Sequence, residues 1–426
     1  MSSPASRPRV LMIAYTNYRS DPRVIREAEA AVSGGFDVDF IALRRDTDPP
    51  CEDVAGVQLL HLNQTRYRGA GMVRYALSYM EFFFRCFLKT TWLHLKKRYR
   101  VVHVNNMPDF FVFCALLPKL TGAKIVLDIH DPMPNTFASK YKGGERSFAF
   151  RLLLLVERMS AAFADQVITV HEPVKEHILV RQHGMSAPSV KVIANFPDDN
   201  LFTPRGPAPN DGHLHLSFHG TVLERNGLRQ VMHALAGMQH RTRIKVKIIG
   251  EGDFSPELKR LIGSLNLSET VQFDNQMYPV QKLPDILAGT NLGLVPLEIS
   301  SITDYILPLK LLEYLAMGIP SITVRNKAIS HYFGEEDFPF YDPQSTRSLT
   351  AILDRLAANP DLVRQFQERA MVLREHFLWS REREKYLALL WQLAAPAVGP
   401  ARMDGDAIGN EIGSRSARQD SNRQAH

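Results

Sequence analysis

Cysteine is scarce: three in 426 residues, Cys51, Cys86 and Cys114, odd in number and widely spaced. That pattern suits neither a disulfide framework nor a set of zinc ligands and fits a reducing compartment. Long apolar runs are also missing. Residues 1–8 are short and polar, and the apolar stretch 10–15 behind them is too brief for a signal-peptide core or a membrane span, so the chain is expected to stay in the cytoplasm. The first strand and turn end in TNYRSDP, without the glycine fingerprint of a dinucleotide site, which disfavours a dehydrogenase. No internal repeat is evident.

Metal-ligand spacing is missing as well. Asp37-Val38-Asp39 spells a metal-binding DxD but sits inside the strand pattern DVDFIAL. His171, Glu172 and His177 fail the zinc-helix spacing, since the histidines are six apart and Pro173 intervenes. His213, His215 and His219 alternate along one strand without cysteine or carboxylate partners at ligand spacing. No cofactor and no metal are expected.

What is present is bulk. The length exceeds the usual size of one hydrophobic core and 45% of residues are apolar, so two domains are expected. The net charge of +6 is concentrated: residues 66–100 hold nine Lys or Arg against one acid, Glu81, and the rest of the chain is close to neutral. A general nucleic-acid binder is thereby disfavoured.

A strand over 9–15, a helix over 21–33 and a strand over 37–43 form a βαβ unit. The strands lack a polar face, as in a parallel sheet covered on both sides. Further strands are expected at 101–104, 124–129 and 166–170, the last behind an amphipathic run at 146–164. Pro, Gly, Asn and Asp crowd residues 195–212, where periodicity dissolves, and the domain linker is placed there. A second alternation follows, with strands at 214–219, 245–249, 271–273, 292–296 and 321–324. The sequence therefore reads as α/β, with two Rossmann-like domains at 8–200 and 201–376. A last helix within 377–395 is expected to pack back toward the first domain, and the aromatic-free tail 396–426 is expected to be disordered.

The most informative stretch is 304–320, DYILPLKLLEYLAMGIP. Pro308 suits a first helical turn and Gly318 a C-terminal cap. The helix between them starts behind a strand, so its free N–H groups point to the edge where α/β domains bind phosphate. Lys310 and Glu313, three apart, share one face: a cation near the phosphate end and a carboxylate one turn further in. A diphosphate with a ribose diol could use that pair, and so could an ordinary surface ion pair.

This segment resembles the donor signature of retaining glycosyltransferases with two facing Rossmann-like domains, the GT-B architecture, in particular the family 4-like enzymes of bacterial polysaccharide and lipid-linked glycan synthesis. SDPRVIREAEAAVSGGFDVDFIAL, VLDIHD, VITVHEPVKEHI, VIANFPDDNLFTP, FHGTVLERNGL and IIGEGD match further family segments in order, over roughly residues 8–395. The resemblance implies a nucleotide donor (UDP-, GDP- or ADP-sugar) and a glycan or lipid-linked acceptor. Glu313 would hold the ribose, backbone amides around Ile306, Leu307 and Leu309 would bind the diphosphate, and Lys310 and Arg225 would add positive charge at the leaving group. His130 would contact the transferred sugar, Gly220 and Gly250 would shape the donor loops, and Arg23 would stand on the acceptor side. Many members pair two glutamates with seven residues between them, whereas here Tyr305 takes the first place with Asp304 beside it. Thr221 and Asn226 stand where the family's usual Arg and Lys would be. A nucleotide-sugar epimerase on the same fold and a non-catalytic sugar-binding scaffold are the alternatives.

Residues 71–100 combine cations with an apolar, mostly aromatic series, Tyr75, Tyr79, Phe82, Phe83, Phe87 and Leu93, at helical spacing. This is the composition of a helix lying in an anionic membrane interface, too interrupted to span it. A core helix with a basic outer turn has the same spacing. The expectation is peripheral association with the inner face of the cell membrane through this segment.

Overall fold

The computed structural model describes residues 7–45, 47–65, 67, 72–140, 144–206, 208–300 and 303–395; the tail expected to be disordered lies outside them. The first sheet contains β1 (Arg9–Ala14), β2 (Asp37–Leu43), β3 (Cys51–Val54), β4 (Val57–Leu62), β5 (Val101–Asn105), β6 (Lys124–Ile129), β7 (Gln166–Thr169) and β8 (Val190–Val192). Its spatial order is β3-β4-β2-β1-β5-β6-β7-β8. Every pairing is parallel except that of β3 with β4. Those two are joined by a tight turn with Ala55 and Gly56 at positive φ, 53° and 83°. From Val10 to Ala14 every residue of β1 is buried, because helices cover both faces of the sheet.

The second sheet contains β9 (Leu214–His219), β10 (Ile244–Ile249), β11 (Val271–Asp274), β12 (Leu292–Val295), β13 (Ser321–Val324) and β14 (Phe340–Tyr341), all parallel. Its order, β11-β10-β9-β12-β13-β14, is the doubly wound arrangement. The order in which strands are added reverses beside β1 in the first sheet and beside β9 in the second. The loops leaving those strands flank crevices at the carboxyl edges, where such sheets bind ligands.

The chain passes between the sheets twice. Behind β8, Ala194, Phe196 and Phe202 are buried in a cluster with Ile249, Val295 and Leu311 of the second sheet's layer. The closing helix, Trp379–Ala394, then packs on the first sheet's side. Trp379, Tyr386, Leu389 and Leu390 join the core of β1 and β2, and Trp391 Nε1 donates to the Gly34 carbonyl at 3.2 Å. Glu382 accepts the Ala194 N–H at 2.9 Å, tying this helix to the first crossing.

The basic segment forms one helix, Met72–Lys97, whose orientation differs from the expected one. Phe82 and Leu93 are buried in the first core, with Tyr79, Phe83 and Phe87 packed against it. The series expected on the membrane face is therefore mostly the core face. A second apolar stripe, Leu77, Met80, Phe84, Leu88, Trp92 and Leu95, is exposed, with Leu88 at 68%. At 100° per residue these six fall within an arc of about 120°. Phe148, Leu152, Leu155 and Met159 make a like stripe on the helix Phe148–Phe163, with Phe148 81% exposed. Both helices pack on the segment Asp109–Ala115 between them. No helix among the described residues is long and apolar enough to cross a membrane.

Candidate active site

The helix Leu309–Ala316 behind β12 opens at Pro308, which adopts extended backbone at the N-cap rather than the first helical turn expected for it. Gly318 follows the helix with φ +74°, the left-handed cap that glycine favours. Beneath this helix run the loops after β9 and β10. A Cβ on Gly250 would stand 1.9 Å from the Gly220 carbonyl, and its φ is +141°, so glycine is required there. Lys310 lies beside Gly220, with its Nζ 3.8 Å from the centre of the Phe218 ring near the end of β9.

Glu313, one turn on, is buried beside His219, with 3.5 Å between carboxylate and Nε2. Burial pushes the Glu313 carboxyl up to about 7, against the pull of Arg26 and Lys310. It pushes the Lys310 ammonium down to about 7, with Glu313 opposing, and the His219 imidazole down to about 3. The cleft thus holds a carboxyl and an amine that both change charge near neutrality. A phosphate supplies the negative charge that such a lysine lacks.

Facing this helix, Arg23 comes from the helix Pro22–Ser33 and His130 from the loop behind β6, both on the first sheet's side. Arg23 Nη2 lies 3.1 Å from His130 Nε2. A guanidinium only donates, so Nε2 accepts and the ring proton sits on Nδ1, which faces Asp128 at 3.6 Å. Burial opposes ionisation of Asp128, but Arg23, 3.5 Å away, and then His130 outweigh it and hold the carboxyl down at about 2. The backbone N–H of His130 donates to Asn106 at 3.2 Å. His130 is therefore fixed at ring and backbone.

Behind it lies a buried network. With its amide nitrogen turned toward the carboxylates, Asn105 donates to Glu27 at 3.2 Å and Asp128 at 3.1 Å. Burial, with the charge of Asp128, pushes Glu27 up to about 8. Glu27, His103 and Asp128 place ligand atoms within 4.8 Å of one another. Here the Asn105 amide and the Arg23 guanidinium already serve the carboxylates, while His103 Nδ1 pairs with the Tyr386 hydroxyl at 2.8 Å.

A cavity of 280 Å³ lies between the two sheet edges. Arg23 and His130 form one wall and Tyr305, Ile306, Leu307 and Leu309 the other. Of the two candidates for the missing first glutamate, Tyr305 lines this cavity. Asp304 instead pairs with Lys327 at 2.8 Å. Lys310, Glu313, Gly220 and Gly250 cluster beside the same helix without lining the cavity. Arg225 is exposed on the loop after β9.

Three participants were missed in the sequence. Arg26 donates to Asn195, which lines the cavity from the crossing segment. It lies one turn beyond Arg23 on the same helix, a spacing that could have marked it. Asn195 carries no such signal. His219, set aside as one of an alternating triplet, ends its strand against Glu313, whereas His213 and His215 lie at the opposite end beside Asp211. Of the DxD pair, Asp39 is bound by Lys97 at 2.8 Å and by the Tyr99 hydroxyl, on the far edge from the cavity.

Residues 21–195 match a family model described as a glycosyl transferase 4-like domain, and residues 213–359 match one described as glycosyl transferases group 1. Among solved structures, the chain resembles sucrose-phosphate synthase from Thermosynechococcus elongatus at 19% identity and a TM-score of 0.72, covering 91% of this chain and 99% of that one. It resembles HepE of Anabaena, solved with UDP and glucose, at 13% identity and a TM-score of 0.65, covering 91% and 100%. A UDP-forming α,α-trehalose-phosphate synthase from Burkholderia vietnamiensis matches at 13% identity and a TM-score of 0.68, covering 91% and 98%.

Proposed function

Because the chain belongs to the GT-B glycosyltransferases, with a 4-like domain followed by a group 1 domain, and so uses a nucleotide-sugar donor, we propose that it transfers the sugar with retention to a glycan or lipid-linked acceptor at a membrane surface. One observation carries this reading: Arg23 and His130 meet the Tyr305–Leu309 segment across a single cavity, with Lys310 and Glu313 one helical turn behind. The donor diphosphate sits against the amino end of the helix Leu309–Ala316, where free N–H groups and Lys310 stabilise the charge that grows as the glycosidic bond breaks. Glu313 accepts hydrogen bonds from the ribose. His130 faces the transferred sugar.

In the transfer step the bond from the anomeric carbon to the diphosphate breaks, and the acceptor oxygen bonds the same carbon from the same face. The acceptor proton passes to the leaving phosphate oxygen. Donor positioning and charge stabilisation are then the protein's main tasks, and no metal is required. The two exposed apolar stripes, with Arg85, Lys89 and Lys96 beside the first, support contact with an anionic bilayer. The cytoplasmic leaflet is the face proposed.

A screen with UDP-, GDP- and ADP-sugars, with chelator present and membrane extract as acceptor, tests the reading. Nucleotide release that is lost in Glu313→Ala is expected. Neither release nor binding with any donor would sink it.

A further inference from the structure

We propose that a second cavity, on the carboxyl edge of the first sheet beyond β2 and β4, anchors the acceptor by a phosphate or diphosphate carried on a lipid-linked glycan; the inference rests on the transferase reading above and specifies its acceptor. The cavity has a volume of 690 Å³. Arg44 and Arg45 behind β2, Gln64 and Tyr67 behind β4, and Arg74 and Leu77 from the basic helix line it. Arg44 Nε donates to the Asp48 backbone carbonyl at 2.8 Å, and among the described residues none of the three arginines has a carboxylate partner. The acid in the wall, Glu81, is held by Arg85 at 2.9 Å. Three guanidinium groups around one space, none with a carboxylate partner among the described residues, match the oxygens of a phosphate better than any neutral sugar.

Arginines at a surface are commonly just solvated, and alone they would carry little. Gln64 supplies the second observation. It is 8% exposed, and its Nε2 donates to the Ser78 carbonyl and hydroxyl at 2.8 and 3.1 Å. That geometry fixes the amide and leaves Oε1 buried without a partner in the cavity wall. A buried acceptor of this kind calls for a donor, and a sugar hydroxyl next to a phosphate is one.

Leu77 says how the ligand enters. It lines the cavity and also begins the exposed apolar stripe of the basic helix. A lipid tail can therefore stay in the bilayer while its phosphate turns into the arginines at headgroup depth. The saccharide then runs along the sheet edge toward His130. From β2 to β6 there are three strand spacings, about 14 Å.

The full-length protein would be titrated by calorimetry with geranyl-diphosphate-linked N-acetylglucosamine, with the same glycoside lacking phosphates, and with inorganic diphosphate. UDP binding serves as the control for the donor half. The expected result is at least tenfold tighter binding of the phosphate-bearing glycoside, lost in Arg44→Gln/Arg45→Gln and reduced in Arg74→Gln, an exposed helix position whose change does not threaten folding. Equal binding of the two glycosides, or binding of neither, by protein that binds UDP would overturn the proposal and leave the donor reading standing. Failure to bind any donor nucleotide would remove that reading instead. Displacement of the glycoside by equimolar inorganic diphosphate would overturn the lipid-linked source.

Discussion

At the scale of single residues, the proposed donor side is governed by where charge is withheld. Burial disfavours the Lys310 ammonium and pushes it down to about 7. A bound diphosphate restores the charged form, so donor binding takes up a proton wherever the lysine begins neutral. The sign for the lysine follows: below pH 7 it is already charged and adds no pH dependence, while above pH 7 its contribution to UDP affinity falls by up to tenfold per unit until the lysine of the complex itself titrates. Glu313, also at about 7, acts in the opposite sense on the acid side, where accepting from the ribose favours loss of its proton. Titration in two buffers of different ionisation enthalpy should show proton uptake at pH 8 that diminishes or reverses by pH 6. Lys310→Met should remove the uptake and weaken binding by about 1.5–3 kcal/mol, the range for a hydrogen bond to a charged group. The lysine and its carboxylate were legible from their spacing of three on a fenced helix. Arg26, His219 and Asn195 were not, since each acts through a partner far away in the chain, and Arg26 meets Asn195 across 169 positions.

At the scale of elements, buried parallel strands were the easiest to read, since β1, β2 and β6 are apolar on both faces. The edge hairpin was not foreseen: β3, with the sequence CEDV, is half polar and pairs only with β4. The basic helix shows a subtler failure. It has two apolar stripes at the same helical spacing, and periodicity alone does not say which one turns inward. The structure separates them, and substitution can confirm the assignment. Phe82→Ala, in the core stripe, should cost about 3–5 kcal/mol and lower the melting temperature. Phe84→Ser with Leu88→Ser, in the outer stripe, should leave melting unchanged and reduce sedimentation with anionic vesicles. The reverse pattern would mean that the helix is turned the other way.

At the scale of the whole molecule, charge and apolar surface coincide on the first sheet's side. The segment 66–100 carries more net positive charge than the entire chain. Association with vesicles of 30% phosphatidylserine should therefore weaken steeply between about 0.1 and 1 M salt, as the screening length contracts from about 10 to 3 Å. A residue of binding should persist at high salt, contributed by the exposed stripes. Binding indifferent to salt would assign the contact to apolar insertion alone.

The two passages of chain between the sheets have one more consequence. A body joined to another at a single point can wobble in any direction, but one joined at two neighbouring points turns about the line through them. Phe196 and Phe377, one from each passage, meet with ring centres 5.3 Å apart and planes inclined at 60°, and mark that line. The cleft is thereby given an axle: its far rim can sweep widely while side chains close to the axle barely move.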